Sequence, residues 1–255
     1  MKKEKKGKQK HIFIFAGTIL VFIAIIISSL VINDTKQRKI LKEEIINVTS
    51  KDLTKDNYNL KLKTKGDYAY IEKAVKKYFK ELSDNIKLIN SYLNDEQLIY
   101  ILSAKNLETD GPNFDNSYKT ITNTKENINK AIQKITNLCK EETIKNLIEK
   151  EKVNDNSYEL YLELMYTKKD LEELTKTKTE IETINNDLNT FLDKVKVMLD
   201  MLKENKDNWY IDKEQLYFET SSLVNKYNNL HKDLNDFVTE KFSKYKNNTN
   251  TNNNI

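Results

Sequence analysis

Apolar side chains recur every seven residues between positions 160 and 202, and this repeat constrains the fold more than any other feature of the chain. A companion row lies four residues later, and ten of the 13 positions in the two rows are apolar. This spacing places the apolar side chains on one face of an α-helix, which then packs in a seam against other helices. We therefore predict one continuous helix through six heptads, with left-handed winding around its neighbours. The first row is Leu160, Thr167, Leu174, Ile181, Leu188, Val195 and Leu202, and the second is Leu164, Leu171, Lys178, Asn185, Leu192 and Leu199.

Three further helices are predicted from apolar residues at alternating steps of three and four. Between the N-terminal apolar segment and the C-terminal tail, Gly and Pro occur only at Gly66, Gly111 and Pro112, and Asp67 is placed as an N-cap. The apolar face of the long helix widens in its second half, which favours an all-α bundle of three or more helices. The residues that widen the face are Ile184, Phe191 and Met198. The first of the three further rows is Val75, Phe79, Leu82, Ile86, Ile89 and Leu93, and the second is Phe114, Tyr118, Ile121, Lys125, Ile128, Ile132, Ile135 and Cys139. The third row is Leu223, Tyr227, Leu230, Leu234 and Phe237.

Three segments depart from this helical pattern. Residues 208–218 carry aromatic and aliphatic residues on both sides of the polar sequence DKEQ, and we predict a small β-hairpin or an irregular aromatic cap on the bundle. Residues 33–66 are assigned to a stalk, since most of them show no clear period. The Asn-rich residues 246–255 are predicted to be disordered, which leaves residues 67–245 for the elongated bundle.

Residues 12–32 form a run of 21 uncharged residues, long enough to cross the roughly 30 Å core of a bilayer as a helix. A cleaved signal peptide has a shorter apolar core, of about 7–15 residues, followed by small residues at the cleavage site. Here the small residues Ser28 and Ser29 are followed by three more apolar residues, so a cleavage site is poorly formed. We therefore predict an uncleaved signal anchor that crosses the membrane once.

The charges that flank residues 12–32 predict the orientation of the anchor. Residues 1–11 form a short tail with six lysines, whereas four basic residues follow the segment out to Ile46. Lys and Arg near a span favour the cytoplasmic side, so the N-terminus is predicted inside and the C-terminal domain outside the cell membrane. Asn, Ile, Lys and Tyr are abundant, as expected for an AT-rich bacterial genome. The four following basic residues are Lys36, Arg38, Lys39 and Lys42.

The charge balance argues against a nucleic-acid partner. The formal net charge is +4, but residues 1–10 carry +5, so the remaining residues sum to −1. Nucleic-acid-binding domains display a basic face and often use Arg to contact phosphate or guanine. Arg38 is the one arginine of this chain. Cys139 is the one cysteine, so the domain must rely on its core without an intramolecular disulfide.

No combination of residues predicts a catalytic, cofactor or metal site. His11 adjoins the apolar segment, and His231 has no carboxylate or cysteine at a zinc-binding spacing, so we interpret it as a solvated or half-buried helix residue. Cys139 continues the apolar row of its helix and is interpreted as a core residue. Gly111 stands alone instead of in a glycine-rich phosphate loop. The expectation is a protein without enzymatic activity and without a cofactor.

Two sets of residues are candidates for specific packing. Lys178 and Asn185 are polar positions in the heptad rows, where they either specify register or partner number or mark a part of the helix that faces water. Gly17, Ala24 and Ser28 share one face of the predicted span, where small residues allow helices to approach closely; chance placement toward lipid is the alternative.

Two function classes follow. The first is an interaction or scaffold module of a bacterial cell envelope, anchored in the lipid bilayer and contacting protein partners. The second is a ligand-binding or sensing module that works with a membrane partner. If the orientation is reversed, the bundle becomes a cytoplasmic adaptor of division or of the cytoskeleton. An oligomer is compatible with the heptad rows.

Overall fold

The structure, a computed structural model, describes residues 36–166 and 168–251. Within these ranges the chain forms nine helices and one two-stranded antiparallel sheet, which confirms the predicted all-α class with a small hairpin. The elements in chain order are α1 Lys36–Thr49, α2 Asp67–Leu93, α3 Glu96–Ile99, α4 Ala104–Asp110, α5 Asp115–Leu138, α6 Glu141–Glu149, α7 Asp155–Met165, α8 Lys168–Glu204, β1 Trp209–Asp212, β2 Gln215–Phe218 and α9 Ser221–Thr251.

The predicted membrane span at residues 12–32 lies outside the described residues, as do its candidate packing residues Gly17, Ala24 and Ser28. Among the residues that are described, no helix combines the length and the apolar composition needed to cross a bilayer. The anchor therefore stays a prediction from the sequence.

The described chain divides into two compact units. The first, which we call the N-terminal unit, comprises residues 36–89 and 130–183, and the second, the hairpin unit, comprises residues 90–129 and 184–251. The sequence predicts one bundle over residues 67–245, and those residues fall into both units. Each unit has its own fully buried large side chains, among them Tyr78 and Tyr161 in the first and Phe114 and Leu107 in the second.

Burial in α2 follows the apolar row predicted from the sequence. All six residues of the row are at most 4% exposed, so the alternating steps of three and four identified the core face correctly. Asp67 is the first helical residue instead of the N-cap. Its carboxylate accepts hydrogen bonds from the Asn154 amide and the Ser157 hydroxyl, at the start of α7.

The continuous helix predicted through residues 160–202 is wrong at one point. Helix α7 ends at Met165, and Tyr166 is extended, with φ −167° and ψ 151°, before α8 begins. Helix α7 packs on α6, and the buried Tyr161 hydroxyl donates a hydrogen bond to the Ile144 carbonyl at 2.8 Å. This tertiary contact fixes the position of α7, whereas a heptad count carries no information about it.

The second half of α8 agrees with the prediction of a wide apolar face. Nine side chains from this part of the helix are buried, including the three that widen the face. A face of this width requires contacts with more than one neighbouring element. The buried residues are Ile184, Leu188, Phe191, Leu192, Val195, Met198, Leu199, Met201 and Leu202.

Residues 209–218 form the predicted hairpin, with Trp209 paired to Phe218. The turn residues Lys213 and Glu214 have φ of 47° and 57°, as in the two-residue turns that match the twist of antiparallel strands. The Trp209 indole donates its N–H to the Leu202 carbonyl at 2.8 Å. The hairpin is thereby attached to the end of α8, as an isolated hairpin would have to be to stay folded.

Helices α1 and α9 lie at the two ends of the described chain. Residues 36–66, most of the predicted stalk, belong to the same compact unit as the first part of α2, and α1 buries Leu41, Ile45 and Val48. At the other end, α9 continues to Thr251 and so includes residues 246–251 of the Asn-rich tail. In both places, helices are present outside the residues whose regular apolar spacing is clear in the sequence.

Candidate binding groove on the hairpin unit

An open groove of about 470 Å³ lies between α5 and α8 in the hairpin unit. Residues at steps of three and four lie on one face of a helix, so each helix contributes one row of side chains to the groove. The sequence reasoning placed Tyr118 and Ile121 in a core row and singled out none of the four charged residues from α8. The lining residues are Tyr118, Ile121 and Thr122 from α5, and Lys196, Asp200, Lys203 and Glu204 from α8.

Tyr118 organises the charged side of the groove. Its hydroxyl donates a hydrogen bond to Asp200 Oδ1 at 2.8 Å, and Lys196 Nζ donates to Asp200 Oδ2 at 2.8 Å. The ammonium nitrogens of Lys196 and Lys203 lie 5.4 and 5.2 Å from the centre of the Tyr118 ring. At this distance a cation is attracted by the negative face of an aromatic ring. The groove therefore combines an aromatic ring, two cations and the carboxylates of Asp200 and Glu204.

The pKa values of Tyr118 and Asp200 in the groove are both shifted away from neutrality. Burial raises the pKa of the Tyr118 hydroxyl, and its hydrogen bond to the negative Asp200 raises it further. Burial by itself raises the pKa of Asp200, but hydrogen bonds from Lys196 and Tyr118 outweigh it, so this pKa lies below its ordinary value. Near pH 7 the tyrosine thus stays protonated and the aspartate ionised. Such a pair holds a fixed arrangement of charge and is poorly suited to exchange protons with a substrate.

Polar contacts continue along α5 and α8 beside the groove. Lys125 Nζ donates to Asp193 Oδ1 at 2.7 Å. The side-chain amides of Asn129 and Asn189 donate to each other at 3.3 and 2.8 Å. Asn185, a predicted seam residue, accepts a hydrogen bond from Asn189 on its backbone carbonyl at 2.8 Å. These paired amides favour one register of α5 against α8, because any shift would leave half-buried amides unpaired.

Lys178, the other predicted seam residue, belongs to the N-terminal unit and not to the unit that holds Asn185. It is half-buried, and its Nζ lies 3.7 Å from Glu182 Oε1 one turn further along α8. Cys139 is buried as predicted. Burial raises the pKa of its thiol to about 11, an effect that the positive charge of Lys178 partly opposes. The thiol therefore stays protonated at neutral pH and behaves as a core side chain.

His231 is half-buried on α9, as predicted. Its Nδ1 lies 3.0 Å from the Asn235 amide nitrogen, and its ring lies 6.3 Å from that of Tyr227. Burial lowers the pKa of this imidazole, so it is neutral at pH 7. Within the described residues, no group of three or more His, Cys, Asp or Glu side chains is arranged to hold a metal ion.

The N-terminal unit contains a buried ion cluster that the sequence reasoning missed. Lys76 Nζ contacts Glu44 Oε1 and Glu72 Oε1, each at 2.7 Å, and the Lys61 carbonyl at 2.6 Å. Thr64 donates its N–H at 2.8 Å and its hydroxyl at 2.6 Å to Glu72 Oε2. The side chains of Lys76, Glu44 and Glu72 are at most 6% exposed. We call these three side chains the buried ion cluster.

Both carboxyls of the buried ion cluster remain ionised at neutral pH. Burial raises the pKa of Glu44, but hydrogen bonds from Lys63 and Lys76 outweigh it and place the pKa below its ordinary value. Glu72 behaves in the same way, with Lys76 and Thr64 as donors. The spacing of Glu72 and Lys76 is visible in the sequence as a pair one turn apart, but Glu44 joins them only through tertiary packing. The cluster ties α1 and the following loop to α2.

Comparison with models of known protein families, with curated proteins and with solved structures finds no match to this chain. The α5–α8 groove is the candidate site, because it brings together residues that can contact a partner and are reachable from solvent.

Proposed function

We propose that this protein is a single-pass, membrane-anchored interaction or scaffold module of a bacterial cell envelope, without catalytic activity. The observation that carries the proposal is the α5–α8 groove, which presents an aromatic ring and fixed charges. Because Tyr118 stays protonated and Asp200 stays ionised near pH 7, these groups suit binding better than acid–base chemistry. The predicted anchor at residues 12–32 would hold the groove at the cell membrane.

A protein partner fits the chemistry of the groove. Tyrosine is enriched among the residues that dominate protein interfaces, since its ring offers a large rigid surface and its hydroxyl a polar contact. The Tyr118 ring supplies apolar surface next to the buried Ile121, and Lys203 and Glu204 line the groove with opposite charges. A partner side chain inserted here would meet apolar and charged groups together, which favours a specific contact over a general electrostatic one.

The partner contact is tested in cells with the full chain and a photoreactive amino acid at Thr122, an exposed residue of the groove. We expect cross-linking to a discrete envelope protein from position 122 and none from the exposed position Lys226 on α9. Lys203→Glu should abolish the adduct, whereas Lys206→Glu, an equal charge change outside the groove lining, should retain it. Equal cross-linking from both positions, or insensitivity to Lys203→Glu, would contradict the proposal.

A second candidate function is small-molecule binding or sensing. The groove volume of about 470 Å³ falls within the range of roughly 300–1,000 Å³ typical of ligand pockets. Its two lysines and two carboxylates favour a zwitterionic ligand. Signalling across the membrane would then pass through a membrane partner. Thermal stabilisation of the purified full chain by free amino acids, lost in Lys203→Glu, would favour this function over a protein contact.

Membrane attachment and orientation are tested separately from the groove. Mass analysis of the protein extracted from membranes should show that residues 12–32 are retained; a mature N-terminus near residue 30 would refute the anchor. For orientation, Cys139→Ser removes the native thiol and Lys206→Cys introduces an exposed one. Labelling by a membrane-impermeant reagent before lysis supports an outside domain. Labelling only after lysis would favour the cytoplasmic adaptor.

A further inference from the structure

Helix α1 has two chemically different faces. Leu41, Ile45 and Val48 are buried, whereas the opposite face carries exposed basic residues together with Ile46, which is 51% exposed. We call this exposed set the outer face of α1. One acidic residue, Glu43, is also exposed on the helix, so positive charge predominates. The outer face consists of Lys36, Lys39, Lys42 and Ile46.

The orientation of α1 is fixed by contacts on its buried side. Glu44 bonds Lys76 of α2 at 2.7 Å and also Lys63 of the loop. Near the start of the helix, Gln37 Oε1 accepts a hydrogen bond from the Lys65 N–H at 2.8 Å. These contacts prevent α1 from rotating about its axis, so the outer face stays exposed on the N-terminal unit.

The chain that precedes α1 indicates what covers this face. The apolar run at residues 12–32 ends four residues before Lys36, a path of at most about 14 Å for an extended chain. Anionic lipids attract basic residues that lie within about a Debye length, roughly 8–10 Å, of the membrane surface. From Lys36 to Lys42 the helix rises only about 9 Å. The short tether therefore allows all three lysines to lie within that distance when α1 lies along the surface of the membrane that holds the preceding segment.

We propose that the outer face of α1 lies on the anionic headgroups of the same membrane that holds residues 12–32. The proposal rests on the anchoring part of the proposed function and adds the surface through which the N-terminal unit docks. The three lysines supply attraction to phosphate, and Ile46 supplies an apolar side chain at the boundary of headgroups and acyl chains, as in helices that lie in a membrane interface. Charge complementarity favours lipid over a second copy, because two such faces would repel each other.

The full chain reconstituted into vesicles tests the proposal. In a Cys139→Ser background, Ile46→Cys carries an environment-sensitive dye, and lipids with a headgroup nitroxide serve as quencher. We expect at least about twofold stronger quenching in vesicles that contain phosphatidylglycerol than in phosphatidylcholine alone, because the attraction requires anionic lipid. Replacing the lysines of the outer face by Gln should remove most of this difference. The matched control replaces Lys140, Lys150 and Lys152, three exposed lysines elsewhere in the N-terminal unit, and should retain it.

Equal quenching in the two lipids, or equal loss in the two triple variants, would overturn the proposal. Dye shielding that increases with the number of protein molecules per vesicle, and not with lipid charge, would assign the outer face of α1 to contact with a second copy. That result would also overturn the proposal. Extraction of the protein by an alkaline wash would instead refute the anchor itself. Failure of the docking surface is thus distinguished from failure of the proposed function.

Discussion

Replacing Lys76 by Met should strongly destabilise the N-terminal unit. Methionine keeps a long, unbranched apolar side chain but removes the ammonium that contacts Glu44, Glu72 and the Lys61 carbonyl at 2.6–2.7 Å. The two carboxylates would remain buried without the cation that they share. Loss of one partner from a buried ion pair costs about 3–5 kcal/mol, because an uncompensated charge is left in a region of low dielectric.

The sole cysteine provides the assay. Cys139 lies in the N-terminal unit, is 8% exposed, and has a thiol pKa raised to about 11 by burial. A thiol reagent therefore labels it mainly when the unit opens. A loss of about 3–5 kcal/mol should accelerate labelling by roughly two to nearly four orders of magnitude, since each tenfold change corresponds to about 1.4 kcal/mol. The experiment can use the full chain in mild detergent, because labelling of Cys139 reports on the opening of the N-terminal unit alone.

The matched control is Lys80→Met, one turn further along α2. Lys80 pairs with Asp84, but the two side chains are 41% and 57% exposed, so water screens the pair. Exposed pairs contribute about 0–1 kcal/mol, and labelling should change by less than roughly tenfold. If Lys76→Met labels no faster than Lys80→Met, the energetic reasoning about the buried ion cluster is refuted.

A double variant separates loss of charge balance from loss of packing. Glu44 keeps its ion pair with Lys63 in Lys76→Met, whereas Glu72 loses the ammonium that it pairs with. Adding Glu72→Gln to Lys76→Met removes this uncompensated carboxylate, so the double variant should label more slowly than the single one. Such coupling between contacting residues is typically about 0.5–3 kcal/mol. If the two substitutions instead destabilise the unit additively, Lys76→Met acts mainly through lost packing. An unpaired buried carboxylate would then not be the main cause.

Three further outcomes follow from the structure. Tyr161→Phe should cost about 1 kcal/mol by Cys139 labelling, because it removes the buried bond to the Ile144 carbonyl, whereas Tyr158→Phe at an exposed site should cost little. Gly111→Ala should cost about 1–3 kcal/mol and shift the Trp209 fluorescence, because the added Cβ would lie 2.9 Å from that indole and 2.3 Å from a backbone carbonyl; unchanged emission would contradict this. The lowered pKa values of the two carboxyls in the buried ion cluster mean that the unfolded chain takes up protons first, so the melting temperature should fall as the pH drops below about 4.3.

The sequence by itself determined the helical class, the core face of α2 and the buried state of Cys139. Each of these depends on side chains close together in the chain, because the 3.6-residue period of a helix directly sets which residues share a face. The hairpin at residues 209–218 was also accessible, since apolar residues flank a polar turn sequence. Local sequence patterns sufficed here because residues close together in the chain determine whether these elements form and which of their faces is apolar.

Only the tertiary structure decided where the heptad rows are interrupted. The rows continue past Met165 without a Gly or Pro, yet α7 ends at that residue. The packing of α7 on α6, including the bond from Tyr161 to Ile144, outweighs the helical preference of residues around the break. A periodic pattern reports which face is apolar, and it carries no information about contacts with a neighbouring helix.

The charged sites show the same limit most clearly. Glu44 and Lys76 are 32 positions apart, and Tyr118 and Asp200 are 82 apart, yet each pair is joined at 2.7 or 2.8 Å. In the sequence all four look like ordinary members of helices rich in charge. Burial of Lys76 and the pKa shifts around Tyr118 arise when folding removes water and brings opposite charges together. The chain sets which helices form, and the packing between them decides which charges meet, because desolvation and pairing depend on distance in space and not along the sequence.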